Sequence, residues 1–523
     1  MRLRIPNFIY FFFAAPVAFL ISYLYFFEAL KTIRSWQFQF WPEISGNMNG
    51  ENFRNQKYFF VLFLISFMLY QYFQNRMFWK LKRDILKKFD SLRILRFMWF
   101  WLGLFIVFFL IRTFIFSSPV QSSSFWSTIS NGHMSVKISG APTPFADLLG
   151  PANCSLEKGV IKAGEIVTGC DPLGRDGPSI YPRFAFDYLG LLIPLTGIKA
   201  FALISTSALL FFGLFLLRRK FLHVIFYFFL FLSPAIALGV ERANLSLPIV
   251  AFSWIGVYML FRAKTSNKLF ERYTLLISGT FLLQSHSYLK LFPVVGIVAL
   301  AIFEQVTRSN RKYFGYQLIF AIIVFGIYRD EFFNTLRLNS GQIDSSYSFG
   351  NSLMADSINL TLFNDYSQFI TKDTLWIVFL FLGIFLALRK LISLKLDVNK
   401  NTKGLSGFLY VKNQEVHFGI LIFFISPLLF SSFRSVQYDY QLSMLLPVIV
   451  SLLCLDLTKY RHERVFIQGI LYSSIFLFFS RGFLIHNLVL LFLLFSVINL
   501  LAKLLAESIH TFPKNSLIGF WEK

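Results

Sequence analysis

The most polar stretch of the chain is the segment 170–183, which directly precedes an apolar run. It contains carboxylates, guanidinium groups and a phenol, interrupted by three prolines and two glycines. Prolines fix φ and glycines permit unusual turns, so the segment predicts a loop of one defined shape rather than a helix. A carboxylate held near an electrophile can accept the proton of an attacking hydroxyl. The segment therefore predicts a site for chemistry, with Arg175, Tyr181 and Arg183 as candidate substrate-binding residues.

Three aspartates of the outer loop are considered as a general base. Asp147 lies earlier in the loop, whereas Asp171 and Asp176 lie in the polar segment. Asp147 is the first choice, ahead of Asp171. In the alternative interpretation, Asp147 caps an interfacial helix, while Asp171 and Asp176 pair with Arg175 and Arg183.

The composition identifies the class of protein that must position these residues. The chain has 523 residues, of which 56% are hydrophobic and 69 are phenylalanine, and its mean hydropathy is +0.60. No soluble globular surface can be built from so few polar residues, so the sequence predicts an integral membrane protein. The net charge of +23 comes from basic residues between apolar runs. The placement of these basic residues indicates the orientation of the chain in the membrane. A nucleic-acid partner is not expected.

Apolar runs that suit a bilayer recur along the chain. A span needs about 20 apolar residues, and fewer where the helix is bent or buried among neighbours. The sequence therefore predicts an all-α polytopic transmembrane helix bundle of about fourteen spans. The predicted spans are 8–30, 58–75, 97–116, 198–217, 221–238, 245–261, 273–284, 289–303, 313–328, 374–388, 417–433, 440–456, 464–480 and 482–502. A shorter run, 184–197, predicts an interfacial helix that leads out of the polar loop.

Basic residues lie in alternate connectors, which predicts the orientation. The connector 76–96 carries eight lysines and arginines and is predicted to be cytoplasmic. Counting spans from there places every later basic cluster, and both termini, on the same side. The runs 273–284 and 289–303 are each short for a span, yet they lie between two basic connectors, so they predict a short, broken hairpin. Broken or shortened helices are tolerated at membrane depth only where their backbone is buried in protein or lines a water-filled cavity. The predicted hairpin therefore indicates a functional region.

The opposite, outer face then collects the loop 117–183 and the polar residues of later turns. If the bundle brings these loops together, they form one pocket at the outer membrane surface. The later turns supply Glu241, Arg242, Asn244, His286, Lys290, Arg434, Tyr438 and Asp439.

Cations at the outer ends of spans are disfavoured by the positive-inside rule, so Arg242, Lys290 and Arg434 require an explanation. One explanation is a phosphate or pyrophosphate ligand, which guanidinium and ammonium groups bind. The other is snorkelling to lipid headgroups, or pairing with Glu241 and Asp439.

His286 and the cysteines each leave two interpretations open. His286 is either a functional base or a hydrogen-bonded histidine at a helix break; no second histidine or carboxylate pair lies at ligand spacing, so no metal site and no cofactor are predicted. Cys154 and Cys170 share the outer loop. They form a disulfide if that loop faces an oxidising compartment, and otherwise they are two free thiols.

Several short strings resemble a known family. Asp171-Pro172-Leu173-Gly174-Arg175 and Tyr181-Pro182-Arg183 resemble an Asp-Pro-Trp-Gly-Arg and Asn-Tyr-Pro-Arg pattern in a group of bacterial multi-spanning proteins, and Phe145-Ala146-Asp147 looks like their Phe-Ala-Asp-Leu-Arg segment. Glu241-Arg242-Ala243-Asn244 and Lys290-Leu291-Phe292-Pro293 look like their Arg-Gly-Asn and Lys-hydrophobic-Pro elements, in the same order. The chain thus resembles the GT-C superfamily of membrane glycosyltransferases, particularly its polyprenyl-phosphate-mannose-dependent branch.

The resemblance implies an inverting glycosyltransferase of the bacterial inner membrane, with its active site on the periplasmic face. It implies a polyprenyl-phosphate-linked sugar donor, a glycan or glycolipid acceptor and contact with membrane lipid. Asp147, or failing that Asp171, would take the place of the family's acidic residue. On this view, residues 1–96 form an N-terminal transmembrane pair with a basic connector, residues 97–456 form a GT-C-like core, and residues 457–523 form a C-terminal hairpin and tail. The alternatives are a ligase or polymerase of lipid-linked glycans, or a flippase or transporter of them.

Overall fold

A computed structural model provides the structure of the protein. It describes residues 60–69, 71, 137–138, 141–142, 151, 154–155, 166–167, 177–178, 182–196, 198–217, 221–231, 233, 236, 239, 244–290, 292–307, 311–338, 348–349, 351–362, 370–396, 414–432, 437–455, 464–479 and 483–510.

The described residues are almost entirely helical, as the sequence predicts. The helices of the first half are α1 (Phe60–Leu69), α2 (Arg183–Thr196), α3 (Ile198–Leu217), α4 (Phe221–Phe231), α5 (Ser246–Thr265), α6 (Leu269–Ser287) and α7 (Phe292–Thr307). Those of the second half are α8 (Arg311–Ile327), α9 (Arg329–Leu338), α10 (Asn351–Leu362), α11 (Lys372–Leu396), α12 (Gln414–Ser432), a 3₁₀ helix η1 (Asp439–Met444), α13 (Leu445–Cys454), α14 (Arg464–Phe479) and α15 (Phe483–His510).

Short antiparallel strand pairs join loop segments. Two pairs lie within the predicted outer loop, β1 (Lys137–Ile138) with β2 (Ala141–Pro142) and β3 (Ile166–Val167) with β4 (Gly177–Pro178). A third joins β5 (Ser348–Phe349) to β6 (Gln437–Tyr438), which ties the segment after α9 to the segment before η1.

Four of the described helices are long and apolar enough to cross a membrane. The qualifying segments are Ala200–Leu217, Ser246–Thr265, Glu415–Ser432 and Ile485–Ala502. Helices α8 and α11 also expose large apolar side chains such as Phe320 and Phe381, which are 46% and 66% exposed. Such faces suit lipid rather than water. The prediction of a membrane protein is confirmed at this level; the count of about fourteen spans stays a prediction.

Helix α6 is longer than the predicted run 273–284. It continues to Ser287 because the polar side chains of its last turn bond to the helix itself: Ser285 Oγ donates to Phe281 O at 2.6 Å, and Ser287 Oγ donates to Leu283 O at 2.6 Å. These bonds satisfy hydroxyls that would otherwise be unpaired in an apolar setting. The helix has 19 residues, so α6 is not as short as the sequence predicts.

Glycines allow the central helices to approach closely. A Cβ on Gly256 of α5 would lie 2.9 Å from the carbonyl oxygen of Gly279 in α6. Likewise, a Cβ on Gly296 of α7 would lie 2.5 Å from the carbonyl oxygen of Phe423 in α12. Small residues at such crossings let membrane helices pack through their backbones.

The close packing of α5 and α6 determines which residues share an end of the bundle. The two helices are joined by residues 266–268 alone, so they run antiparallel. The start of α5 therefore lies beside the end of α6. At the other end of α5, Lys264 Nζ donates to the Glu415 carboxylate at 3.2 Å.

One buried amide fixes the connection between α10 and α11. Asn359 Nδ2 donates to Ile370 O at 2.9 Å, and Ile370 N donates to Asn359 Oδ1 at 3.0 Å. Asn359 is 2% exposed. This pair of bonds closes the segment between the two helices.

Candidate functional site

The site is centred on the ammonium group of Lys290. Lys290 Nζ donates to Asn244 Oδ1 at 2.9 Å and to Ser246 Oγ at 3.1 Å. Asn244 and Ser246 are buried, and Lys290 is half-buried. Two of the residues predicted from the sequence, Asn244 and Lys290, thus meet directly although 46 positions separate them.

Asn244 holds the chain in the shape that begins α5. Its Oδ1 also accepts the backbone N–H of Ser246 at 2.9 Å, and its own N–H donates to Gly239 O at 3.0 Å. An asparagine side chain that accepts from the backbone two residues on forms an Asx-turn. The same oxygen therefore positions both the first turn of α5 and the Lys290 ammonium.

The electrostatics of this corner favour an anion. The ammonium lies at the N-terminus of α5, and α7 begins at Phe292, two residues after Lys290. Helix N-termini carry partial positive charge, so a cation there gains nothing from the helix dipole. An anion at the same place is stabilised by the ammonium and by helix N–H groups together.

His286 lies one turn before Lys290 and links three helices. Its Nε2 is 2.8 Å from the Tyr188 hydroxyl of α2, and its ring centroid is 4.5 Å from that of Phe252 in α5. Its Nδ1 is 3.0 Å from Leu282 O. Because a carbonyl oxygen only accepts, Nδ1 carries the proton, Nε2 is the acceptor and the Tyr188 hydroxyl donates.

Burial keeps His286 neutral. The side chain lies in the last turn of α6, outside the predicted span 273–284, and its residue is 3% exposed. Burial lowers the pKa of His286 to about 4, although the bond to Leu282 O opposes this shift. Burial also raises the pKa of Tyr188 well above its usual range, so its hydroxyl stays a donor. His286 therefore matches the hydrogen-bonded histidine foreseen as one of its two interpretations.

A consequence is that acid should destabilise the protein through His286. Below its ordinary pKa of 6.5 the unfolded chain gains a proton that the folded chain does not bind until about pH 4. The free energy of unfolding therefore falls as pH is lowered through that window, by about 2 kcal/mol between pH 6.5 and 5. Thermal unfolding of the purified protein should show a smaller loss of Tm from pH 7 to pH 5 in His286→Gln than in the wild type. Equal losses in both would contradict the assignment.

Aromatic rings connect this corner to the two amphipathic helices α2 and α9. Phe184 of α2 lies 5.6 Å from Tyr288 and 6.1 Å from Tyr328, measured between ring centroids. Tyr288 lies 6.3 Å from Phe332 of α9, which is fully buried. The rings pack edge-to-face or stacked at distances that favour aromatic pairs. The turn 288–290 is therefore packed against aromatic side chains of α2 and α9.

A polar contact continues from the turn into the helix bundle. The Tyr288 hydroxyl donates to Gln284 Oε1, and Gln284 Nε2 donates to Gln317 Oε1 of α8 at 2.8 Å. Gln317 Nε2 then donates to Thr280 Oγ1 at 2.7 Å. Both glutamines are buried, and every amide oxygen and nitrogen of the pair has a hydrogen-bond partner.

Two further predicted residues are described near the start of α2. Arg183 Nε is 3.4 Å from Asp187 Oδ2, and both side chains are about 40% exposed, so this ion pair contributes little to stability. Cys154 is buried and disulfide-bonded, whereas Cys454 is a free thiol. The pairing of Cys154 with Cys170 stays a prediction because Cys170 lies outside the described residues.

Tyr438 and Asp439 are described only through their backbone. Tyr438 ends β6, and Asp439 begins η1, which packs against α5 and α12. Their chain segment therefore adjoins the helix that begins beside Asn244. The other predicted site residues lie outside the described residues: Asp147, Asp171, Arg175, Tyr181, Glu241, Arg242 and Arg434.

Two residues of the site are absent from the sequence prediction. Ser246 is a small polar residue at the start of an apolar helix. The only indication of its role in the sequence is the nearby Asn244. Tyr188 lies in α2, where no local pattern reveals that it bonds to a residue 98 positions away. Both are long-range partners, which sequence spacing does not report.

Where the structure describes the chain, no three His, Cys, Asp or Glu side chains are grouped so that they could hold a metal ion. The chain matches no protein-family model, no curated protein and no solved structure.

Proposed function

We propose that the protein transfers a sugar from a polyprenyl-phosphate-linked donor to a hydroxyl of a glycan or glycolipid at the outer face of a bacterial inner membrane. The observation that carries the proposal is the Lys290 ammonium, held by Asn244 Oδ1 and Ser246 Oγ where two helices begin. The family-like strings supply the reaction class. The proposal includes a multi-pass bundle of about fourteen spans of GT-C type with cytoplasmic termini.

The orientation in this proposal rests on charge at the two ends of α5. Arg262 and Lys264 lie in its last turn, and Lys290 meets its first turn. Basic clusters favour the cytoplasmic side, so the Lys290 end is assigned to the outer face. The Lys290 ammonium on that side is then proposed to bind the phosphate of the donor.

In the proposed reaction, the acceptor hydroxyl attacks the anomeric carbon of the donor sugar. The new glycosidic bond forms as the bond between that carbon and the phosphate oxygen breaks, with inversion. Asp147 or Asp171 takes the hydroxyl proton, and polyprenyl phosphate leaves with the electron pair. Lys290 stabilises the charge that grows on the leaving phosphate. Arg242 and Arg434 are proposed to assist it, and Arg175, Tyr181 and Arg183 to bind the acceptor or donor sugar.

The test is reconstitution of the purified protein in liposomes with a radiolabelled polyprenyl-phosphate mannose and a mixed glycan acceptor extract. Wild-type protein should bind the donor and form labelled product. Lys290→Met should weaken donor binding about 10- to 100-fold, because it removes a charge-assisted contact to phosphate.

Lys264→Met is the matched control. This lysine also donates to oxygen atoms, but it lies at the far end of α5, about 30 Å away. It should leave donor affinity unchanged. Equal losses in both variants would assign Lys290 a structural role, whereas donor binding without any product would favour a flippase or a different sugar.

A further inference from the structure

Helix α2 connects the outer loop to the Lys290 corner. On one side, Ser155 Oγ donates to Phe186 O at 2.7 Å, and Gly190 leaves room for this serine, since a Cβ there would lie 2.5 Å from Ser155 Oγ. The neighbouring Cys154 is buried and disulfide-bonded. The loop segment 154–155 is therefore docked firmly on α2.

On its other side, α2 reaches the Lys290 corner through Tyr188. The Tyr188 hydroxyl donates to His286 Nε2, and the two ring centroids are 5.4 Å apart at 73°. The carbonyl of His286 in turn accepts the backbone N–H of Tyr288 and that of Leu289, the latter at 3.4 Å. The imidazole of His286 thus bonds to α2, and its backbone carbonyl bonds to the turn that carries Lys290.

We propose that Tyr188 is a positioning residue, which acts through His286 to fix α2, and the loop segment docked on it, relative to the Lys290 turn. The catalytic consequence rests on the proposed function. A base in the outer loop and a phosphate held by Lys290 belong to different parts of the chain, and transfer requires them at a fixed separation. Tyr188 supplies a directional contact between those parts without touching the substrate.

The first measurement does not depend on activity. Amide hydrogen exchange is measured on the full-length protein in nanodiscs. In Tyr188→Phe, the exchange rate across 183–196 and across 286–290 should be at least about 5-fold higher than in the wild type. Tyr227→Phe is the matched control: its hydroxyl donates to Leu209 O at 2.8 Å between α4 and α3, away from this corner. That variant should leave both segments unchanged. Unchanged exchange in Tyr188→Phe, or equal changes in the control, would overturn the inference.

The second measurement separates positioning from general stability. Tyr188→Phe should lower kcat for transfer about 10-fold while the Kd of the donor stays within about 2-fold, because the phosphate contacts are intact. Combining it with His286→Leu should add little further loss, as expected for two residues that act as one unit. A weakened donor Kd that accounts for the whole loss, or additive losses, would overturn the inference. If the wild type makes no product, the proposed function fails, and the exchange data alone decide whether Tyr188 couples the two segments.

Discussion

Asp147→Asn is expected to reduce transfer by about 100- to 10,000-fold while donor binding is unchanged. Asparagine preserves the size of the side chain but cannot take a proton from the acceptor hydroxyl. In the proposed reaction, donor affinity depends on the Lys290 ammonium, which this substitution does not change. Radiolabelled product formation and donor binding, measured on the same liposomes, separate the two quantities.

Asp171→Asn is the direct competitor, because the sequence leaves either aspartate as the base. Asp147 precedes the docked Cys154 by seven positions, and Asp171 directly follows Cys170. Only one of the two variants should abolish transfer, and that variant names the base. Asp330→Asn, in the exposed first turn of α9, is the control that changes an aspartate outside the site. Full activity in both Asp147→Asn and Asp171→Asn would exclude these two aspartates as the base.

Gly256→Leu is expected to lower the free energy of unfolding by about 3 kcal/mol or more. Its Cβ would lie 2.9 Å from both Gly279 O and Leu283 N, which are backbone atoms of α6 and cannot rotate aside. The helices must separate, which also moves Asn244, two residues before α5, away from Lys290. Thermal unfolding should therefore report the lost stability, and donor binding should weaken in the fraction that still folds.

Gly326→Leu provides the control for adding the same side chain to a helix. Gly326 lies in α8, and a Cβ there has no atom within 4 Å among the described contacts. Leucine should be tolerated at this position, with little change in Tm and none in donor affinity. Comparable destabilisation by both variants would show that the loss reflects the leucine and not the crossing of α5 with α6.

The positions of the helices could be predicted from the sequence because apolar runs are a local signal. The run 198–217 coincides with α3, and each later predicted span overlaps a described helix. The end of α6 could not be predicted, since Ser285, His286 and Ser287 look like loop residues until their bonds to the preceding turn are known. Hydropathy measures how apolar a segment is. It does not indicate whether a polar side chain is hydrogen-bonded to its own helix.

The site was predictable in part for the same reason. Asn244, His286 and Lys290 attract attention because each is a polar residue beside an apolar run. That Asn244 and Lys290 share a hydrogen bond depends on how α5 packs against α6, and so on the contact between Gly256 and Gly279. Tyr188 gives no such signal, because a tyrosine in an amphipathic helix fits an apolar face as well as a polar role.

The buried amide of Asn359 has a consequence for how the protein is produced. Asn359-Leu360-Thr361 matches the acceptor sequence for N-linked glycans, and so does Asn244-Leu245-Ser246. Asn359 is 2% and Asn244 is 1% exposed, and the nitrogen of Asn359 is already bonded to Ile370 O. Neither side chain can carry a glycan in the folded protein. In a eukaryotic expression host, any glycosylated material at these two positions is therefore misfolded, and its mobility shift on enzymatic deglycosylation measures the misfolded fraction.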